Sequence, residues 1–151
     1  MGYKTCLEKA GAKVLDYKEF GSYQGDWLAF VEYKGEKGIV QGAFGSCSGC
    51  DSFAAEFDFD NTAPKIVNGV FYKNDNTWDE DCICTEDEYN EAIKAYDQKM
   101  SDFGKRYLEA NGKPDLYNKE HYVQRLSKLD PEDYFDNEEK EYIEWAINQS
   151  W

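Results

Sequence analysis

The chain has 151 residues and a net charge of −14, and its 12 Tyr, 9 Phe and 4 Trp make it unusually aromatic. That length suits one domain, 1–151, that buries its own core, and so many rings exclude a disordered chain, which cannot recover its conformational entropy by burial. The charge excludes direct binding to a nucleic-acid backbone, because like charges repel; the partners it suits are cations or a basic protein surface. It is also unevenly spread: residues 1–72 carry ten acids and seven bases, residues 73–151 twenty-one and ten. The first 17 residues, "MGYKTCLEKAGAKVLDY", lack the apolar run of a signal peptide. No window approaches the roughly 18 apolar residues of a membrane span. The chain therefore reads as cytoplasmic, with reduced thiols, and its odd count of five cysteines argues against a disulfide framework.

Strands are expected first, over 13–72. "KVLDY" (Lys13 to Tyr17) predicts one. In "WLAFVEY", Trp27, Ala29, Val31 and Tyr33 alternate with Leu28, Phe30 and Glu32; "KGEKG" is a glycine-flanked turn, and "IVQGAF" resumes a strand from Ile39. "GSCSGCD" (Gly45 to Asp51) then reads as a tight turn. "SFAAEFDF" predicts another strand, with Phe53, Ala55, Phe57 and Phe59 on one face, and "VNGVFY" (Val67 to Tyr72) a last one. Period two with one wet face suggests an antiparallel meander. An acidic connector, 73–85, leads to a helical half, 86–151.

Thr85 and Glu88 have capping-box spacing. Tyr89, Ile93, Tyr96, Met100, Phe103 and Tyr107 follow as one apolar stripe, and Asn111-Gly112 and Pro114 stop the helix. A second helix is expected from about Asn118, with Val123, Leu126 and Leu129 inward. For the last helix there are two start signals, Asp130-Pro131 and the Asp136/Glu139 spacing, and Tyr142, Ile143, Ala146 and Ile147 share a face. Strands followed by helices imply an α+β fold, a small antiparallel sheet packed on one face by C-terminal helices.

Two features carry candidate chemistry. Cys47 and Cys50 form Cys-x2-Cys in a glycine-rich loop, and Cys82 and Cys84 form Cys-x-Cys before the long helix. Four sulfurs from two loops are how structural zinc is held, and such a module could contact a partner or small ligand through its Gly/Cys loop. Against this, the acids around Cys82 and Cys84 disfavour thiolates. Buried, reduced cysteines are the alternative, and a redox pair at Cys47 and Cys50 is another. His121, the only histidine, could serve Cys50 as a base, but nothing in sequence orients the two. Asp75, Asp79 and Asp81 lack the glycine and distal glutamate of a calcium loop.

The acids are the second feature. Residues 75–91 hold eight acids and no base; residues 130–144 hold eight acids and one base. Acids in a first helical turn favourably meet the helix dipole, which explains some of them. The others repel one another and cost stability. Interleaved with Trp and Tyr, they make a surface suited to Arg and Lys. Asp79, Glu80, Asp81, Asp133, Glu138, Glu141, Glu144 and Trp145 are the expected partner-binding residues, and catalysis is not expected.

The stretch "GSYQGDWLAFVEYKGEKGIVQGAFGSCSGCDSFAAEF" (Gly21 to Phe57) resembles a segment of small phage and prophage proteins, in which a Trp-bearing hairpin leads into a Gly-Ser-Cys-x-Gly-Cys-Asp turn. The resemblance covers about a quarter of the chain and brings no activity. It implies a phage accessory protein in the bacterial cytoplasm, of the kind that inhibits host defence by binding, as anti-CRISPR factors do. Mimicry of nucleic acid toward a host enzyme is one route to such inhibition.

Overall fold

The computed structural model describes residues 2–46, 51–57 and 62–151. A short helix, α1 (Tyr3–Lys9), precedes a meander of three nine-residue strands, β1 (Lys13–Gly21), β2 (Gly25–Tyr33) and β3 (Glu36–Phe44), paired antiparallel in the order β1-β2-β3. The β2–β3 turn is Lys34-Gly35, both residues with positive φ, the geometry that matches strand twist in a two-residue hairpin. The fold is α+β, as its order of elements predicts.

The expected wet face is absent. Along β2, Trp27, Ala29, Val31 and Tyr33 join one core with α1 and with α3 (Glu86–Leu108). Leu28 and Phe30 join a second core with α4 (Lys119–Ser127) and α5 (Tyr134–Ile147). Residues 27 to 31 are all buried, and an unbroken apolar run is what a strand covered on both faces requires. Each fully buried Leu or Phe here contributes about 1.5–3 kcal/mol. Helices therefore pack on both faces of the sheet, not on one.

Three local readings also change. "SFAAEF" is a helix, α2 (Ser52–Phe57), because Phe53 and Phe57, stacked at 4.6 Å, are four residues apart, a spacing shared by strand and helix periodicity. Phe59 lies outside the described residues. "VNGVFY" reverses at Asn68-Gly69, both with positive φ, so that β4 (Lys65–Val67) pairs with β5 (Val70–Tyr72); β6 (Ile83–Cys84) completes a second small sheet. On α4 it is Tyr122 that is buried, while Val123 faces solvent.

The long helix is as read. Thr85 and Glu88 make both capping-box bonds, at 3.1 and 3.2 Å. It ends at Leu108, after which β7 (Glu109–Ala110) and β8 (Lys113–Pro114) form a small hairpin around Asn111-Gly112. Neither start signal fixes α5. Asp130 instead turns the chain by accepting from the backbone N–H of Glu132 at 2.9 Å, and Asp136, already inside the helix, accepts from the N–H of Asp130 at 2.6 Å.

"GSCSGCD" closes on a buried carboxylate. Asp51 is the one buried polar or charged residue among those described, 2% exposed. Its carboxylate accepts from the Tyr3 hydroxyl at 2.5 Å, from Gly45 N–H at 3.0 Å, and from Phe53 and Ala54 N–H at 3.0 and 3.2 Å. It caps α2 and ties α1 to the end of β3. Burial opposes its charge, but these donors outweigh it and hold the carboxyl below its ordinary range. Cys47 and Cys50 lie outside the described residues.

Candidate functional site

Helix α5 turns Tyr142, Ile143 and Ala146 onto the second core, and the 3.6-residue period then leaves Glu138, Glu141 and Glu144 exposed on its outer side. Glu138 and Glu141 make no ion pair among the described residues, whereas Glu144 meets Lys140 at 3.8 Å. Asp133 is exposed one residue before the helix. Trp145 turns away from that outer side, toward the second core. It is half-buried with its ring edge-on to Phe20 at 6.1 Å, on the same helical side as Tyr142. The most exposed aromatics among the described residues are others: Tyr23 in the β1–β2 turn (81%), Trp78 (81%) and Tyr134 (71%).

Two clefts of about 410 Å³ each border α5. One is lined by Phe20 and Tyr142 and by four carboxylates, Asp26, Glu138, Glu139 and Glu141, with no base. The other has an aliphatic floor of Leu126 and Leu129, with Asp136 and Glu144 beside Lys140. Asp26 comes from β2 and was not anticipated. Burial, the first cause, pushes its carboxyl above the ordinary range; Glu139 adds to this, against the pull of Gln41 and Arg125. A partly buried carboxylate in that condition favours an incoming cation.

The chain already contains one cation held in this way. The Arg125 guanidinium, from α4, lies over the rings of Tyr142 and Tyr122 at 5.3 and 5.9 Å. It donates to Glu139 at 3.2 Å and to the Tyr142 hydroxyl at 2.7 Å. Burial works against its charge, but Tyr142 and Glu139 prevail and raise its pKa. Aromatic faces with carboxylates at their edges are a guanidinium-binding chemistry. Tyr142 and Glu139 also line the first cleft.

The connector acids are separate from this ridge. Asp79 accepts from the N–H of Asp81 at 3.0 Å and starts a 3-10 turn, Glu80–Cys82. Glu80 and Asp81 are exposed beside the second small sheet. The small sheet packs on α3, and α3 and α5 cover opposite faces of the β1–β3 sheet, so these three acids and the α5 acids lie on different sides of the fold.

Of the cysteines, Cys82 closes that turn and Cys84 lies in β6, both half-buried. Ile83 between them is extended, φ −68° and ψ 134°, and along an extended chain residues two apart lie on one side. Burial and Glu88 push the Cys84 thiol up. The fifth, Cys6, is buried against Met100 at 3.5 Å between sulfurs, and burial, then Glu56, pushes its pKa up to about 12. Among the described residues no group of three or more His, Cys, Asp or Glu side chains gathers as metal ligands. His121 stacks on Tyr117 at 4.2 Å, and burial and Arg125 lower its pKa. It sits on α4, across the sheet from Asp51 and α1.

Among the described residues no helix is long and apolar enough to cross a membrane. No family model, curated protein or solved structure matches the chain.

Proposed function

We propose that the protein is a non-enzymatic binding protein that engages a basic protein surface through α5, acting in the cytoplasm. The observation that carries this reading is the pair of clefts flanking a helix whose outer carboxylates, Glu138 and Glu141, meet no cation among the described residues. Such a ridge suits a partner presenting Arg or Lys side chains in a row, as the phosphate-binding groove of a nucleic-acid-handling enzyme does. Near a protein surface a guanidinium about 4 Å from one carboxylate gains roughly 4 kcal/mol before desolvation. Occupying that groove in place of nucleic acid would inhibit the enzyme, which agrees with a phage counter-defence role.

The experiment is capture of partners from nuclease-treated bacterial lysate on the tagged protein, eluted with a salt gradient. A basic, nucleic-acid-handling protein released by moderate salt is expected, because such contacts are screened. The double variant Glu138→Lys, Glu141→Lys is expected to lose that partner with its thermal melt unchanged, both side chains being exposed. Capture that survives the double variant rejects the reading.

A further inference from the structure

We infer that the outer face of the small second sheet is a docking surface for an extended, Lys- or Arg-bearing apolar segment of a partner protein. Cross-strand register puts Val67 opposite Val70 and Tyr72 opposite Ile83, while Ile66, Phe71 and Cys84 belong to the other side. On that side Phe71 packs against Tyr89 of α3 at 5.2 Å, while Ile66, on the edge strand β4, is 52% exposed. The outer side carries Lys65, Val67, Val70, Tyr72 and Ile83, of which Tyr72 alone is half-buried and the others are exposed. Val67, Val70 and Ile83 remain 38%, 37% and 48% exposed, although polar residues would serve a solvent face better. Trp78, in the connector that leads to β6, is 81% exposed and is the residue type that anchors interfaces.

Charge selects the occupant. The acids Glu80 and Asp81 lie just before Cys82 and β6, and Glu86 and Asp87 just after Thr85; they outnumber Lys65 on the face, and Lys73 beside it is already paired with Glu88. A second copy of this chain would bring the same acids and a further −14 against them, which opposes self-association. A segment alternating apolar and cationic residues instead covers the Val and Ile side chains and places its charges at the acidic rim. This surface is independent of the α5 ridge, because α3, which carries the small sheet, and α5 cover opposite faces of the β1–β3 sheet.

The test is residue-resolved NMR titration of the full chain with two synthetic heptapeptides, Lys-Val-Lys-Val-Lys-Val-Lys and its counterpart with serine for valine. The valine peptide is expected to bind at least tenfold more tightly, with amide shifts over 65–72 and 83–84. Val70→Ser with Ile83→Ser is expected to bring the two peptides to equal affinity, whereas Glu138→Lys with Glu141→Lys leaves the tenfold difference intact. Equal affinity in the wild type overturns the inference, as do shifts confined to α5. Shifts over the hairpin that grow with protein concentration alone also overturn it, since they identify a second copy as the occupant.

Discussion

Replacing Asp51 with alanine removes one acceptor from four donors at once. The Tyr3 hydroxyl at 2.5 Å and the Gly45 N–H at 3.0 Å are left without it in a site where Asp51 is only 2% exposed. Hydrogen bonds to a charged group are worth about 1.5–3 kcal/mol each, and the cap on α2 adds about 1 kcal/mol. Such contributions do not sum fully within one network, so the expected loss is about 3–5 kcal/mol, or roughly 10 °C in melting temperature for a domain of this size. Urea unfolding followed by tryptophan fluorescence at pH 7 measures it. The isosteric Asp51→Asn separates charge from shape. Because the folded carboxyl lies below its unfolded value of about 3.9, its stabilisation is fully present above that value and is lost as pH falls through the folded pKa. The wild-type advantage over Asp51→Asn is therefore constant from pH 7 to about 5 and shrinks below about 4. A loss under about 1 kcal/mol in Asp51→Ala, or an advantage that does not change down to pH 3, refutes this account.

A β-carbon on Gly104 would stand 2.1 Å from the carbonyl oxygen of Cys6, so Gly104→Ala forces α1 and α3 apart and is expected to cost about 1–3 kcal/mol in the same urea assay; an unchanged midpoint contradicts so close a helix contact. The four-cysteine zinc reading predicts one equivalent of zinc by elemental analysis, lost together with stability in Cys47→Ser; a metal-free wild type ends it.

Much of the candidate site was legible as charge alone. The acids of 130–144 stand out in the sequence, and helical periodicity places Glu138, Glu141 and Glu144 outward once Tyr142 and Ile143 are inward. The same periodicity carried a warning about Trp145, which lies three residues from Tyr142 and so turns toward Phe20. Asp26, Gln41 and Arg125 carried no signal as a group, because they come from β2, β3 and α4 and meet only through folding.

The sequence by itself determined what depends on neighbours a few residues apart. The capped helix from Glu86, the Lys34-Gly35 reversal and the strands around it follow from local hydrogen bonding and backbone sterics. So does the acidic, aromatic character of the chain. Tertiary structure decided what alternation and spacing leave open. Period two says that β2 has two faces, but only packing against α1 and α3 on one side and α4 and α5 on the other settles that both are buried. A four-residue phenylalanine spacing fits strand and helix alike, and the Asp51 cap with its Tyr3 partner, 48 residues away in the chain, makes it a helix. The clefts beside α5 are tertiary in the same sense: their walls belong to different elements, and a cavity between elements is not written in any one of them.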